Sequence, residues 1–218
     1  MHKVTDISME MDVLEENKHL AEHNHENLRA RGIRSVDVMG SIGSGKTAMI
    51  IALAKELRKR GVDVAVIAGD VTGQDDFDRF QDAGIRAYNI NTGKECHLDS
   101  RMIDHALDHM DLEGVKFLFI ENVGNLVCPA DFPLGTDHRM VVISVTEGDD
   151  MVRKHPMIFN DSDIAVLNKI DLAEYMQVDV ERIKRDYRSL RPGKELYLTS
   201  VRTGAGLDRL LKALGFDK

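Results

Sequence analysis

The 218-residue sequence contains no tryptophan, only two cysteines and 5% aromatic residues, and it carries no excess of positive charge. Each shortage excludes something. With so few aromatics there is no stacking platform for nucleic-acid bases. Against 37 acidic side chains stand 29 basic ones, and the net charge of −8 has the wrong sign for a surface that grips a phosphate backbone. Two well-separated cysteines make no disulfide framework and suit a chain kept reduced in the cytoplasm. No apolar run approaches the ~18 residues of a membrane span, and the opening MHKVTDISMEMD lacks a signal-peptide core. These absences predict no nucleic-acid partner and no membrane association. What remains, 43% hydrophobic and 30% charged, is the composition of a soluble globular protein long enough to fold without a staple.

Residues 1–32 differ in texture from residues 33–218. Ser8 to Arg31 is rich in Glu, Asn and His, with Met9, Val13, Leu14, Leu20 and Leu28 as sparse apolar anchors. It reads as an N-terminal amphipathic helix, ended by Gly32 and packed loosely on the domain that begins at Ile33. From Ile33 onward, short apolar strands alternate with helical stretches. The strands are predicted at Ser35–Met39, Val62–Ala68, Ala87–Ile90, Lys116–Ile120, Met140–Val145, Ile164–Leu167 and Leu196–Thr199. The helices between them fall at Lys46–Arg60, Asp75–Ala83, Asp99–Met110, Asp149–Lys154, Val178–Leu190 and Leu207–Leu214. Several strands are almost uninterrupted apolar runs, as expected when helices cover both faces of a parallel sheet. The fold class is therefore α/β: a three-layer, mainly parallel sheet with a short helical extension. In such sheets chemistry belongs to the loops at the carboxyl ends of strands.

The first of those loops, Gly40-Ser41-Ile42-Gly43-Ser44-Gly45-Lys46-Thr47, has the phosphate-loop pattern in its strand–loop–helix setting. The glycines let successive N–H groups turn toward phosphate oxygens, and the helix after the loop adds its positive end. Lys46 is placed to bridge the β- and γ-phosphates, and Thr47 to offer its hydroxyl to Mg²⁺. The pattern predicts a nucleoside triphosphate ligand. Asn168-Lys169-Ile170-Asp171 comes after a later strand and selects the base. A carboxylate at Asp171 accepts from the N1–H and exocyclic amine of guanine, a donor pair that adenine lacks. Asn168 would brace the loop and the Lys169 stem cover the base, which makes the ligand GTP or GDP. Ser200 and Val201, in Thr199-Ser-Val-Arg-Thr-Gly204, stand where a loop would back the base.

Glu121-Asn122-Val123-Gly124 ends another strand with an acid followed three residues later by glycine, the shape of a γ-phosphate sensor. Glu121 would hold Mg²⁺ while the Gly124 N–H meets phosphate. Upstream, Asp70 at a strand end is the better candidate to complete the Mg²⁺ shell or orient the attacking water. Asp75 and Asp76 read first as helix-start acids, Asp76 being the further catalytic candidate. With no Gln or Arg standing out as a finger, hydrolysis is expected to be slow.

Cys96 and His97 are adjacent, and Cys128 lies in Gly124-Asn-Leu-Val-Cys-Pro129. Two buried free thiols are the plain alternative. Loop placement and the neighbouring His favour a site for Zn²⁺ or Ni²⁺, with a fourth position left to water, a partner or a second copy of the chain. Because Cys128 rides on the segment after Gly124, metal and nucleotide affinities are expected to be linked. His19, His23, His25, His105 and His109 read as solvated faces, and His138 and His155 have no sequence partner.

Gly40–Thr47, the Glu121–Pro129 segment, Asn168–Asp171 and Gly93–His97 together resemble the hydrogenase nickel-incorporation GTPases, the HypB family. The resemblance runs from about Ile33 to the C-terminus. It implies a GTPase of the signal-recognition and nitrogenase-iron-protein class that forms a homodimer through its nucleotide face. It also implies a maturation partner and the large-subunit precursor of a nickel–iron hydrogenase as recipients. Cys96, His97 and Cys128 match the family's metal site at the dimer interface. Met1–Asp12 has no Cys and the histidines are scattered, unlike members with a Cys-rich nickel motif or a His-rich tract. A GTP-dependent assembly switch with structural cysteines and a urease-type nickel accessory GTPase are the alternative readings. A small-molecule phosphate-loop kinase is disfavoured by the guanine loop.

Overall fold

Seven strands align in one sheet in a computed structural model that describes residues 2–216, with side chains over 11–216. They are β1 (Arg34–Gly40), β2 (Val64–Asp70), β3 (Arg86–Asn91), β4 (Phe117–Glu121), β5 (His138–Ser144), β6 (Ile164–Asn168) and β7 (Leu196–Leu198). The helices among the described residues are α1 (His2–Ala30), α2 (Lys46–Lys59), α3 (Asp75–Asp82), α4 (Ser100–His109), α5 (Met151–Lys154), α6 (Pro156–Asn160), α7 (Val180–Leu190) and α8 (Leu207–Ala213). The order across the sheet is β3-β2-β4-β1-β5-β6-β7, and every neighbouring pair is parallel. No described helix is long and apolar enough to cross a membrane.

Strand alternation builds the layers. One face of β1, β4 and β5 (Val36, Val38, Phe117, Phe119, Met140 and Val142) packs under α2 and α8 through Met49, Leu53, Leu210 and Leu214, all buried. The opposite face is shared. Ala65, Ile67, Leu118 and Ile120 meet α4 and Leu28 of α1, while Val141, Ile143 and Leu167 meet α5, α6 and α7. Between these two cores, over β1, the covering layer is the irregular segment from Asn122 to Asp137, which contributes Leu126, Ala130 and Leu134 to the flanking cores.

All seven expected strands form, each shifted by a residue or two at its ends. Pro156 ends α5 and, with its φ already fixed, opens the short α6 that the sequence did not reveal. The N-terminal helix departs from expectation in how it docks. Val13 is 51% exposed and Leu14 half-buried, so of the expected apolar anchors only Leu28 is fully buried; the side chain of Met9 lies outside the described residues. The grip is polar instead. Asn17 Nδ2 donates to the Pro133 carbonyl at 2.9 Å and its Oδ1 accepts from the Ser100 N–H at 2.8 Å. Asn24 Nδ2 donates to the carbonyls of Ser100 at 2.8 Å and Leu134 at 3.3 Å. Buried hydrogen bonds of this kind fix register more firmly than a loose apolar stripe.

Candidate functional site

The loops after β1, β2 and β4 enclose a cavity of about 380 Å³ lined by Gly43, Gly45, Lys46, Thr47, Asp76 and Glu121 among others. Its floor is the Gly40–Thr47 loop. Gly45 has φ +97°, and a Cβ there would meet Asn168 Nδ2 at 2.5 Å, so only glycine lets the loop close onto the Asn168 side chain. Lys46 Nζ donates to the carbonyls of Gly40 and Ser41, both at 3.1 Å. Burial pulls the Lys46 pKa below its ordinary value, partly opposed by Glu121 and Asp76. Ser44 is buried, and its carbonyl accepts from Asn168 Nδ2 at 3.0 Å. Lys169, at φ 59°, reaches back to the Gly43 carbonyl at 2.6 Å. The expected guanine loop and the phosphate loop are thus tied together by two side chains.

Thr47 Oγ1 lies 2.8 Å from both Asp76 Oδ1 and Glu121 Oε1. A hydroxyl has one proton, so it donates to one carboxylate at a time. Burial pushes the Glu121 carboxyl up to about 7, against the lowering influence of Lys46. Its Oε2 is buried with no hydrogen-bond partner. A threonine hydroxyl and two carboxylates, one of them with an unpartnered buried oxygen, are a hard-oxygen set that fits Mg²⁺. Asp70 borders the same cavity but does not touch Thr47. Its Oδ1 accepts from the Val71 N–H at 2.6 Å, and among these acids it is Asp76 of α3, held also by Arg79 Nη1 at 3.0 Å, that meets Thr47. The turn after β2 bends Asp70 back onto its own backbone and carries the first turn of α3 over the phosphate loop.

Glu147 was missed in the sequence. It caps the turn after β5, accepting from the Ser144 N–H at 2.9 Å, and takes the Ser41 hydroxyl at 2.5 Å. Burial raises its pKa. Its only sequence signal is Ser144-Val-Thr-Glu147, a capping box at a strand end.

At the base end, Asp171 Oδ1 accepts from Ser200 Oγ at 2.6 Å and Oδ2 from Arg202 Nε at 2.9 Å. The Ser200 hydroxyl, then Arg202, hold its pKa below the usual carboxylate range. Thr199 Oγ1 donates to Asn168 Oδ1 at 3.2 Å, and half-buried Val201 packs on the main core beside them. All the loops assigned to base and phosphate therefore meet along one edge of the sheet.

The sensor segment turns from that edge toward the cysteines. A Cβ on Gly124 would meet Ile42 Cγ1 at 2.4 Å, so this segment lies directly against the phosphate loop. Asn125 forms an isolated antiparallel bridge with Gly40, and its Nδ2 donates to the Cys96 carbonyl at 3.3 Å. Cys96 Sγ and Cys128 Sγ then stand 2.8 Å apart, with His97 Nδ1 3.9 Å from Cys96 Sγ. The three ligand atoms fall within 4.8 Å of one another. Cys96 is exposed, Cys128 half-buried, and the His97 ring stacks on Phe132 at 3.9 Å. Burial lowers the His97 pKa, which keeps the imidazole neutral and able to ligate. The hydrogen bond to Cys128, then burial, holds the Cys96 thiol above its ordinary value. Two sulfurs and one imidazole gathered this closely are a soft donor set of the kind Zn²⁺ or Ni²⁺ takes, with a position to spare. Among the described residues the remaining histidines stay apart from it: His105 and His109 stack on each other at 4.1 Å, and His23 Nδ1 lies 3.3 Å from Asp104.

Comparison with known proteins agrees with this construction. The model of the CobW/HypB/UreG nucleotide-binding domain matches residues 35–197. The "Probable hydrogenase maturation factor HypB" of Methanocaldococcus jannaschii is 45% identical over 212 residues, which is 97% of this chain and 96% of that one. The crystal structure of the hydrogenase maturation factor HypB from Archaeoglobus fulgidus superposes with a TM-score of 0.84 at 44% identity, covering 92% of this chain and 97% of that one. HypB from Helicobacter pylori, solved in complex with nickel, gives 0.85 at 35% identity, covering 91% and 93%. With a family model matching most of its length and relatives this close, the chain belongs to the HypB group of the CobW/HypB/UreG nucleotide-binding family.

Proposed function

We propose that this protein is a GTP-binding, slowly GTP-hydrolysing metallochaperone that couples nucleotide state to a Ni²⁺ or Zn²⁺ site and assists nickel insertion into a nickel–iron hydrogenase. The observation that carries the reading is one of connectivity. Gly124 rests on Ile42 of the phosphate loop, Asn125 joins Gly40 to the Cys96 carbonyl, and Cys128 lies a few residues further along the same short stretch. Movement of this stretch on loss of the γ-phosphate must change the separation of the metal donors. By reciprocity the metal must change nucleotide affinity by the same factor.

In this reading Lys46 and the Gly40–Thr47 amides hold the phosphates, and Asp171 takes the guanine edge once Arg202 yields it. Thr47, Asp76 and Glu121 would bind Mg²⁺, which neutralises charge developing on the phosphates. Among the described residues Arg79, engaged with Asp76, is the guanidinium lining the phosphate cavity, and its tie to that acid keeps it from acting as a free finger on the phosphates, in line with slow turnover. Ni²⁺ or Zn²⁺ is cargo held by Cys96, His97 and Cys128. These ligands leave a coordination position that a second copy of the chain, meeting this one across the nucleotide face in the cytoplasm, would fill. The relatives named as hydrogenase maturation factors support the recipient. A Helicobacter hepaticus relative, 35% identical over 192 residues, is named for hydrogenase and urease maturation, which keeps urease as a second candidate recipient. Titrating Zn²⁺ and Ni²⁺ into wild type and Cys96→Ala, with GDP or a GTP analogue present, tests the proposal. The expected result is binding in wild type that depends on the nucleotide and is lost in the variant. Equal binding in both proteins sinks it.

A further inference from the structure

Beneath the thiol–imidazole cluster lies a buried polar hub of Asp37, Asn122 and Arg139, of which only Asn122 also borders the phosphate cavity. Asp37, midway along β1, is fully buried. Its side chain points to the face covered by the Asn122–Asp137 segment, on the same side as Met39. Asn122 Nδ2 donates to Asp37 Oδ1 at 3.1 Å. The other end of that amide, Oδ1, accepts from the Leu98 N–H at 3.1 Å and the Val123 N–H at 3.0 Å. Leu98 comes directly after His97, so this arm fixes the loop that carries two donors. On the other side, Arg139 is the register partner of Asp37 on β5, and its Nε stands 3.8 Å from Asp37 Oδ2. Its guanidinium donates onward to the carbonyls of Pro129 and Ala130, the turn that begins at Cys128. One carboxylate therefore anchors both halves of the cluster, through an amide on one side and a guanidinium on the other. It does so from the strand whose end becomes the phosphate loop.

The cost of this arrangement argues for a purpose. A carboxylate wholly out of water is expensive even beside a guanidinium, and here the partner stops short of hydrogen-bond distance, leaving Asp37 Oδ2 and Arg139 Nε without bonds. An apolar residue at this position would serve the sheet as well or better.

We propose that Asp37 is a positioning residue for metal binding, holding the Cys96–His97 loop and the Cys128 turn at the spacing a metal ion requires. The inference rests on the metal reading of the cluster. The experiment uses the whole chain with GDP bound and Zn²⁺ or Co²⁺ as the probe metal. Zn²⁺ affinity is measured by competition with a chromophoric chelator, and the ligand field is read from the visible spectrum of the Co²⁺ form. Asp37→Ala, which removes the acceptor for Asn122 and the charge facing Arg139, is expected to weaken Zn²⁺ by about tenfold or more and to reduce the intensity of the Co²⁺ bands. GDP affinity measured without metal should be unchanged. Asp37→Asn, which keeps an acceptor for Asn122 but not the charge facing Arg139, should recover part of the affinity. Arg139→Gln and Asn122→Ala, each cutting one arm, should each lose part of it. Folded Asp37→Ala with wild-type Zn²⁺ affinity and an unaltered Co²⁺ spectrum overturns the proposal. If that variant does not fold, a folded Arg139→Gln with wild-type affinity overturns it equally. Failure of wild type to bind Zn²⁺ or Co²⁺ at all would instead remove the underlying metal reading, so the two failures are distinct.

Discussion

Asp171 has both oxygens engaged inside the protein, by Ser200 and Arg202, in the arrangement guanine would offer: two donors side by side against one carboxylate. Replacing it with Asn exchanges an acceptor for a donor. The Asp171→Asn protein should bind GTP about ten- to a hundredfold more weakly, since a lost charge-assisted pair leaves donors unpaired. It should gain affinity for xanthosine triphosphate, whose C2 carbonyl accepts where guanine donates; competition binding with the two nucleotides checks both halves. At Asp37 the sign of a pH effect can be worked out. Burial, opposed by Arg139 and the Asn122 hydrogen bond, raises its pKa from 3.8 to about 6, so the folded protein holds this proton more tightly than the unfolded chain. Its contribution is full below the ordinary value and is lost as pH rises toward 6, by about 3 kcal/mol at most. Denaturant unfolding of wild type between pH 4 and pH 6 should show this loss relative to Asp37→Asn, and parallel curves would contradict it. Motif spacing made Lys46, Thr47, Glu121, Asn168 and Asp171 legible in the sequence, because each is fixed by a strand end. Asp76 stood there only as a further candidate behind Asp70, and Glu147 and the Arg202 contact with Asp171 did not show, because these placements depend on how the turns after β2, β5 and β7 fold back over the phosphate and guanine loops.

At the scale of elements, α1 is the informative case. Its docking rests on Asn17 and Asn24 against Ser100, Pro133 and Leu134, with Ala21 and Leu28 beside them. Asn24→Ala would leave two carbonyls short of a donor in a buried interface, a cost of about 1–3 kcal/mol. The melting temperature should fall by about 2–4 °C for each kcal/mol, while the exposed Val13→Ala should leave the melting curve unmoved. Apolar periodicity gave little purchase here, since the face that matters alternates amides with small and aliphatic residues. The strands were easy for the opposite reason: Val64–Ala68 and Phe117–Ile120 are continuous apolar runs that only a doubly covered sheet can bury. The α5–α6 break was hidden because His155-Pro156 can either end a helix or begin one, and here it does both.

For the whole molecule, the sheet order places β2, β4, β1, β5, β6 and β7 side by side, so the loops assigned to the nucleotide hang from neighbouring strands. The Cys96–His97 loop comes from the edge strand β3, and the sensor segment after β4 reaches across to it. A second copy meeting this face would touch nucleotide and metal donors together. Native mass measurement should therefore show more dimer with a GTP analogue than with GDP, and more again with Zn²⁺ added. Identical distributions in all four conditions would exclude a nucleotide-gated dimer.

The sheet order also sets a timetable. All three metal donors and the strands β1 to β4 are synthesised before any of β5, β6 or β7, so a growing chain possesses its sulfurs well before it can grasp a base. Arg139, however, belongs to β5, and the Cys128 turn lacks that tether until β5 docks beside β1. On the metal reading proposed above, final alignment of the cluster would wait for the same late step of folding that begins to close the guanine side, so that a newborn chain would not capture metal firmly before its regulator is nearly in place.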